Sequence, residues 1–197
     1  MSEQVVDRRS ELVRAAVRVF ARDGFHGSRV GDIAEEAGVA HGLLYHYFRS
    51  KDDVLETIFR ASWQELVVET ERLEASGLPL DGRLRRFAGV FLGSWLADPD
   101  LVRVLIREIA RSPEVGKRVD EIGRVFAGLT RMFEQARDGG EIRRDVDPRL
   151  AAFVFYGALE EILTGWVLGQ LPGGEDDVRR AVDAVVEIVA AGLAERA

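Results

Sequence analysis

The sequence predicts an all-α protein of about nine helices, in which a small N-terminal domain is followed by a larger helical bundle. Apolar residues recur with helical spacing, and no segment shows the alternation or the β-branched clustering that is typical of a sheet. Three prolines follow residues that cap helix N-termini, which marks helix starts. The chain has 197 residues and is 47% hydrophobic, so it has enough apolar material for a core.

Near the N-terminus, residues 28–51 predict two short helices around a tight turn. Gly38 follows the first helix at the position where a helix commonly ends in the left-handed conformation. The apolar positions that share a face are Val30, Ile33 and Ala37 in the first helix and Leu44, Tyr47 and Phe48 in the second. This pattern is typical of a helix-turn-helix, whose second helix enters the major groove of DNA.

The second of these helices carries side chains that suit DNA contact. Leu44 and Phe48 are four residues apart and are expected to face inward together. Tyr45 and His46 then point outward, where a phenol and an imidazole can reach phosphates and base edges. Ser50 begins a capping-box-like start for the next helix.

Three further residues are expected at phosphates or at helix starts. Lys51 lies at a predicted helix N-terminus, which is a favourable place for an anion, and is expected to hold a phosphate. Ser28 is predicted as the N-cap of the first short helix. Arg29 follows in its first turn, within reach of a phosphate.

The remaining helices are bounded by glycine and proline. They are predicted near residues 7–23, 53–75, 81–97, 99–111, 113–138, 148–169 and 175–195. The cap and proline pairs are Asp98-Pro99, Ser112-Pro113 and Asp147-Pro148, and the glycine stops are Gly24, Gly139-Gly140 and Gly173-Gly174. On the first helix, Arg14, Arg18 and Arg22 share a side for which a solvated face is favoured over phosphate contact.

The last two helices are apolar on more than one side, so each must bury against more than one neighbour. A two-fold interface with two helices from each subunit explains this pattern, and Val185 is one of the residues expected in it. The alternative is a bundle that is buried entirely within one chain. The homodimer is favoured.

Charge is distributed unevenly along a chain of net charge −7. Residues 1–51 contain eight Lys/Arg and seven Asp/Glu, and the acidity belongs to the remainder. A weakly basic head can still bind DNA if its few charges converge on phosphates. There is no cysteine, no apolar N-terminal signal and no apolar run of membrane-spanning length. A cytoplasmic protein without a membrane partner is expected.

No catalytic constellation is found. The sequence has no phosphate-binding loop and no nucleophile with a supporting motif, so an enzyme, a cofactor and a metal site are not expected. His41 and His46 are five residues apart, which does not match the usual spacing of a helical metal pair. Glu160 and Glu161 diverge on their helix, and we expect one core or cavity group and one surface charge.

The order of several landmarks resembles a known family. These are Phe20, Gly24-Phe25, Ile33-Ala34, Ala37-Gly38-Val39, Leu44-Tyr45, Phe48 and Lys51. The run over residues 8–59 resembles the N-terminal domain of TetR-family transcriptional regulators. The resemblance implies a DNA-binding domain at 7–60, a ligand-binding and dimerisation domain at 61–197, and a repressor that binds a pseudo-palindromic operator as a dimer. The DNA-contacting residues it implies are Ser28, Arg29, His41, Gly42, Leu43, Tyr45, His46, Tyr47 and Lys51.

Three positions depart from the family pattern. Ala40 stands where Ser or Thr usually caps the recognition helix, and Leu43 stands where a hydroxyl usually faces DNA. Gly31 stands where some members place a base-reading arginine. These departures keep an alternative open, namely a helical binding or scaffold protein with a decayed helix-turn-helix.

The second part of the sequence suggests an effector. Residues 108–114 and 155–166 resemble the corresponding segments of TetR-type repressors of fatty-acid degradation, which implies a long-chain acyl-CoA. Aromatic residues would line an apolar tunnel, and an arginine ladder with i, i+4, i+8 spacing would hold the CoA phosphates. The alternative for the ladder is a solvated arginine face that pairs with nearby Glu and Asp. The proposed lining is Trp63, Phe91, Trp95, Arg103, Arg107, Arg111, Phe126, Phe133, Tyr156 and Trp166. A hydrophobic drug-like effector is the alternative.

Overall fold

The computed structural model describes residues 2–109 and 120–194, and these contain nine α-helices and no strand. The predicted all-α class is confirmed. The helices are α1 (Ser2–Asp23), α2 (Val30–Glu36), α3 (His41–Tyr47), α4 (Lys51–Glu74), α5 (Leu80–Ala97), α6 (Pro99–Ile109), α7 (Asp120–Asp138), α8 (Pro148–Val167) and α9 (Glu175–Leu193).

Most predicted boundaries agree with the structure to within two residues. Gly24 and Gly38 have φ of 76° and 66°, as required of left-handed residues that end α1 and α2. The side chain of Asp147 accepts hydrogen bonds from two amides in the first turn of α8, as the Asp-Pro pair predicts. α1 begins earlier than predicted, at Ser2. The predicted start of a helix at Pro113 lies outside the described residues.

The chain divides into two compact units. The described residues of Met1–Ser62 and Asp100–Val119 form the first unit, and those of Trp63–Pro99 and Asp120–Ala197 form the second. α4 is one helix that contributes to both. Unlike the sequence-based boundary at residue 60, this division groups α6 with the N-terminal helices.

The first unit is built on an apolar core contributed by α1 to α4. The side chains that are almost completely buried include Leu12, Phe20, Ile33, Leu44, Phe48, Leu55 and Phe59. At the surface, Arg18 and Arg22 both pair with Glu36, at 2.7 Å and 3.2 Å, and so join α1 to α2. The pKa of Glu36 is lowered by these hydrogen bonds, first by that of Arg18. The arginine face of α1 is therefore partly used in holding this unit together.

The second unit buries the inner faces of α5, α7, α8 and α9. Its core includes Leu84, Phe87, Leu129, Met132, Phe133, Phe155, Leu159 and Val186. Val185 is also only 6% exposed, so its side chain lies in the core of this chain, and its predicted position at an interface between subunits remains a prediction.

α4 and α7 approach each other closely at one glycine. A Cβ atom built on Gly128 would lie 2.3 Å from Cγ2 of Thr70 and 2.7 Å from Oε1 of Glu74. Arg131 pairs with Glu74 beside this contact, at 2.8 Å. Only a residue without a side chain fits between these two helices.

α8 is also long and apolar enough to cross a membrane by length and composition, which the sequence analysis did not find. A core helix of a soluble protein passes the same test, so this observation is weak evidence. Some apolar residues of α8, such as Phe155 and Leu159, are buried in the core, whereas others, such as Leu150 and Val154, are exposed.

Candidate functional site

α3 is anchored by one face and presents another to solvent. Leu44 is fully buried and Phe48 is 1% exposed, whereas Tyr45 is 53% exposed and His46 is also exposed. The predicted orientation of these four residues is confirmed. The buried pair fixes the helix against its unit, so the phenol and the imidazole project from a rigid support.

The other residues predicted on α3 surround this exposed face. His41 and Gly42 are exposed, and Leu43 and Tyr47 are half-buried. The rings of His41 and Tyr45 lie 5.6 Å apart. Ala40 is the N-cap, and no side chain caps the helix there, so the first amides of α3 have no side-chain acceptor at that position.

Gly31 on α2 lies beside the ring of His41 on α3. A Cβ atom at Gly31 would lie 3.4 Å from that ring, which is ordinary van der Waals contact. A small side chain would therefore fit at this position.

Ser28 does not cap α2. Its side chain is 4% exposed, and its hydroxyl donates to the carbonyl oxygen of Phe25 at 2.9 Å. The N-cap is Arg29, whose amide donates to Oδ2 of Asp32 at 2.6 Å. The prediction of Ser28 as N-cap is wrong, because Arg29 occupies that position and the buried hydroxyl of Ser28 stabilises the preceding turn. The guanidinium of Arg29 is exposed.

Lys51 is also used within the protein. Its Nζ donates to the carbonyl oxygens of Phe25 and, at 2.8 Å, of Ser28, and lies 4.4 Å from the centre of the Phe25 ring. This differs from the predicted phosphate contact, since two donors of the ammonium already have acceptors. The predicted capping at the start of α4 is confirmed, because the amide of Asp53 donates to Oγ of Ser50 at 3.1 Å.

Arg49 is a candidate DNA-contacting residue that the sequence analysis missed. It lies in the turn between α3 and α4, and its amide donates to Oδ2 of Asp53 at 2.9 Å. Its side chain is exposed and has no partner among the described residues. The available signal was its position, directly after the recognition helix and two residues before Lys51.

In the second unit, three of the predicted aromatic residues meet around a fourth, Tyr156. The centre of its ring lies 5.8 Å from that of Trp63, 5.2 Å from that of Phe91 and 4.8 Å from that of Phe126. Tyr156 is 6% exposed. We call these four residues the aromatic cluster.

The other predicted aromatic residues lie in different contacts. Phe133 packs against Phe155, with the ring centres 6.4 Å apart. Trp95 and Trp166 pair at 6.2 Å, and Nε1 of Trp95 donates to the carbonyl oxygen of Gly173 at 3.0 Å. The two tryptophans therefore fix the loop before α9.

Polar groups lie at one end of the aromatic cluster. Burial raises the pKa of the Tyr156 hydroxyl, and the nearby charge of Glu160 raises it further. Burial is also the main cause that raises the pKa of Glu160, followed by the charge of Glu161. Glu160 is half-buried and Glu161 is exposed, which confirms the predicted divergence of this pair. The aromatic cluster thus contains one hydroxyl group, and the carboxyl group of Glu160 is close enough to raise the pKa of that hydroxyl.

The arginine ladder belongs to the first unit, whereas the aromatic cluster belongs to the second. Arg103 pairs with Asp100 at 2.6 Å. Nη1 of Arg107 donates to the carbonyl oxygen of Ala21 at 3.2 Å, which joins α6 to α1. Arg111 lies outside the described residues. A CoA phosphate would have to compete with these protein partners of Arg103 and Arg107.

In the first unit, α3 is anchored by buried residues on one face and exposed on the other. This is the arrangement of the second helix in a helix-turn-helix DNA-binding protein. Residues 12–58 match the family described as "Bacterial regulatory proteins, tetR family", and residues 79–185 match "Tetracyclin repressor-like, C-terminal domain". The second match covers more than half of the chain, and the protein belongs to the TetR family. It is a DNA-binding transcriptional repressor rather than an enzyme.

Similar proteins extend over nearly the whole chain. The "Fatty acid metabolism regulator protein" of Bacillus subtilis is 27% identical over 185 residues, which are 93% of this chain and 94% of that protein. The repressor KstR2 of Rhodococcus jostii is 29% identical over 190 residues, 95% of this chain and 91% of that one.

Solved structures agree with this likeness. The fatty acid degradation regulator FadR from Bacillus halodurans superimposes with a TM-score of 0.85 at 26% identity, covering 96% of this chain and 97% of that chain. FadR from Bacillus subtilis in complex with stearoyl-CoA gives a TM-score of 0.83 at 26% identity, covering 93% and 98%.

Proposed function

We propose that the protein is a cytoplasmic, ligand-released repressor that binds a pseudo-palindromic operator as a homodimer and whose effector is a long-chain acyl-CoA. The observation that carries the DNA-binding part is the exposure of Tyr45 and His46 on a helix anchored by Leu44 and Phe48. His41, Gly42, Leu43 and Tyr47 complete the face proposed to enter the major groove, with Arg29 at a phosphate.

The proposal of a dimer rests on apolar side chains that one subunit leaves exposed. Leu150 and Val154 on α8 are 63% and 66% exposed, and Ile188 on α9 is 72% exposed. Contiguous exposed apolar surface commonly marks an interaction site. A second copy is the proposed partner because a two-fold dimer places two recognition helices on two half-sites of a palindrome.

The proposal of an acyl-CoA rests on the aromatic cluster and on the likeness to a regulator that was solved with stearoyl-CoA. Each buried CH₂ group of an acyl chain contributes about 0.8 kcal/mol. The rings of the cluster contact one another, so a chain that enters it must separate them. Such a separation can favour a conformation in which the two recognition helices no longer match successive major grooves, and the DNA-bound population then falls.

A gel-shift titration with the DNA upstream of the gene tests the DNA-binding part. We expect Tyr45→Ala and His46→Ala to weaken operator binding while the melting temperature stays the same, because both side chains are exposed. Arg86→Ala, at an exposed residue of the second unit, is the control. Unchanged operator binding in both variants would contradict this placement of the recognition helix and would favour the decayed helix-turn-helix.

Titration of the operator complex with acyl-CoA thioesters tests the effector. We expect release by C16 acyl-CoA at lower concentration than by C12, and by C12 at lower concentration than by C8. Free fatty acids should act less well than their thioesters if the CoA group contributes to binding. Release by planar cationic drugs but by no acyl-CoA would instead support the drug-like effector.

A further inference from the structure

We propose that Arg49 binds a DNA phosphate, and that Lys51 is a positioning residue that holds the turn before Arg29 rather than a DNA contact. This inference deepens the proposed operator binding and rests on it. It assigns different roles to two basic residues that are only two positions apart.

The ammonium of Lys51 is engaged on three sides. The carbonyl oxygens of Phe25 and Ser28 accept two of its hydrogen bonds, and the face of the Phe25 ring lies 4.4 Å from Nζ. Lys51 is half-buried. Two of its three N–H donors are therefore used within the protein, and a phosphate could accept more than the third only by taking the ammonium away from the two carbonyl groups.

The turn held by Lys51 leads directly into α2. The carbonyl oxygen of Phe25 also accepts the hydroxyl of Ser28, so two side chains converge on one acceptor. The next residue is Arg29, the N-cap of α2. Its amide is held by Asp32 while its guanidinium is exposed. Lys51 therefore fixes the backbone from which Arg29 extends.

Arg49 has the opposite character. Its backbone is fixed, because its amide donates to Asp53 in the first turn of α4. Its guanidinium is exposed and has no partner within the described residues. By contrast, Arg8 pairs with Glu11, and Arg18 and Arg22 pair with Glu36.

A fixed backbone and an exposed guanidinium together make Arg49 suitable for binding a phosphate. A guanidinium can donate two parallel hydrogen bonds to phosphate oxygens, and a fixed backbone reduces the freedom that is lost on binding. Arg49 lies two residues after the end of α3, so it extends from a position close to the element that carries Tyr45 and His46. No neighbouring carboxylate has to be displaced before it can bind.

The salt dependence of DNA binding distinguishes the two roles. Each phosphate contact contributes about 0.9 to the slope of log K against log salt concentration. The measurement uses the full-length protein on its upstream DNA and on unrelated DNA of equal length. The variants are Arg49→Ala, Arg49→Lys, Arg29→Ala, Lys51→Met and the double variant Arg29→Ala/Lys51→Met, with Arg86→Ala as the charge-matched control.

For Arg49→Ala we expect a slope that is smaller by about one ion, a similar loss of affinity on both DNAs and an unchanged melting temperature. Arg49→Lys should restore most of the slope because it keeps the charge. A slope for Arg49→Ala equal to that of Arg86→Ala would overturn the assignment of Arg49.

For Lys51→Met we expect a lower melting temperature, since two carbonyl groups lose their donor. The double variant Arg29→Ala/Lys51→Met should have the same salt slope as Arg29→Ala alone. A further decrease of about one ion would mean that Lys51 itself contacts a phosphate. Wild-type protein that binds no DNA would overturn the operator proposal and the role of Arg49, whereas the melting temperature of Lys51→Met would still test its positioning role.

Discussion

The ring of Phe153, about half of which is exposed to solvent, stacks on the ring of Phe126 with their centres 4.4 Å apart. Phe126 in turn contacts Tyr156 at 4.8 Å. A continuous series of aromatic contacts thus leads from the exposed face of α8 to the buried centre of the aromatic cluster. Phe126 therefore joins the exposed ring of Phe153 to the buried ring of Tyr156.

We expect Phe126→Ala to raise the concentration of C16 acyl-CoA needed for operator release by about tenfold, which corresponds to about 1.4 kcal/mol of lost apolar contact. The C8 thioester should be affected less. DNA binding without effector should stay the same. The control is Leu168→Ala, which shortens an exposed apolar side chain at the end of α8. An unchanged C16 response would remove Phe126 from the proposed site.

The exposed position of Ile188 allows a test of the dimer that leaves the subunit folded. Ile188→Glu should cost several kcal/mol of dimer stability, because the carboxylate would be buried without a partner. Light scattering should show monomers, and circular dichroism should show unchanged helix content. Val90→Glu, at a 46% exposed valine on α5, is the matched control and should remain dimeric. A stable, folded Ile188→Glu dimer would contradict this interface.

Gly128 should tolerate no side chain. We expect Gly128→Ala to destabilise the protein by about 1–3 kcal/mol from overpacking, less about 1 kcal/mol of helix propensity gained. Thr70 cannot easily move aside, because its hydroxyl donates to the carbonyl oxygen of Leu66 at 2.6 Å. Adding Thr70→Ala should recover part of the loss. Gly123→Ala on the same helix, with no atom within 4 Å of the added Cβ, should not destabilise.

Glu160 should make the stability of the protein depend on pH. Burial, followed by the charge of Glu161, raises the pKa of Glu160 above its ordinary value of 4.5. The folded state therefore retains this proton where the unfolded chain has released it. The resulting stabilisation is fully present below pH 4.5 and is lost as the pH rises through the folded-state pKa.

Chemical denaturation of Glu160→Gln at several pH values measures this effect. The variant should gain stability relative to the wild type as the pH rises above 4.5, since it has no carboxylate to ionise. Glu161→Gln removes the neighbouring charge and should reduce the pH dependence of Glu160. The same pH profile in wild type and Glu160→Gln would exclude Glu160 as its source.

Local signals in the sequence were sufficient to predict where most of the helices begin and end. Gly24 and Gly38 end α1 and α2 in the left-handed conformation, and Asp147 caps α8. The inward pair Leu44 and Phe48 was predicted from a spacing of four residues. In each case, the physical cause lies within one turn of the residue concerned, so the sequence contains it.

The site depends more on contacts between distant residues. Lys51 was expected at a phosphate because it begins a helix, but its acceptors lie 23 and 26 positions earlier in the chain. Serine is a residue type that commonly caps helix N-termini, yet the hydroxyl of Ser28 stabilises the turn before it. The spacing of Arg103 and Arg107 does not reveal that Ala21 on α1 accepts a hydrogen bond from the second of them.

The dependence of the α1–α2 turn on a lysine has a chemical consequence. A lysine amine that has lost its proton can be acylated, and the resulting amide has no charge and a single N–H where the ammonium had three donors. Acylation of Lys51 would deprive Phe25 and Ser28 of a shared cationic donor and would remove the cation from the face of the Phe25 ring. The entry to α2 therefore depends on the positive charge of one lysine side chain.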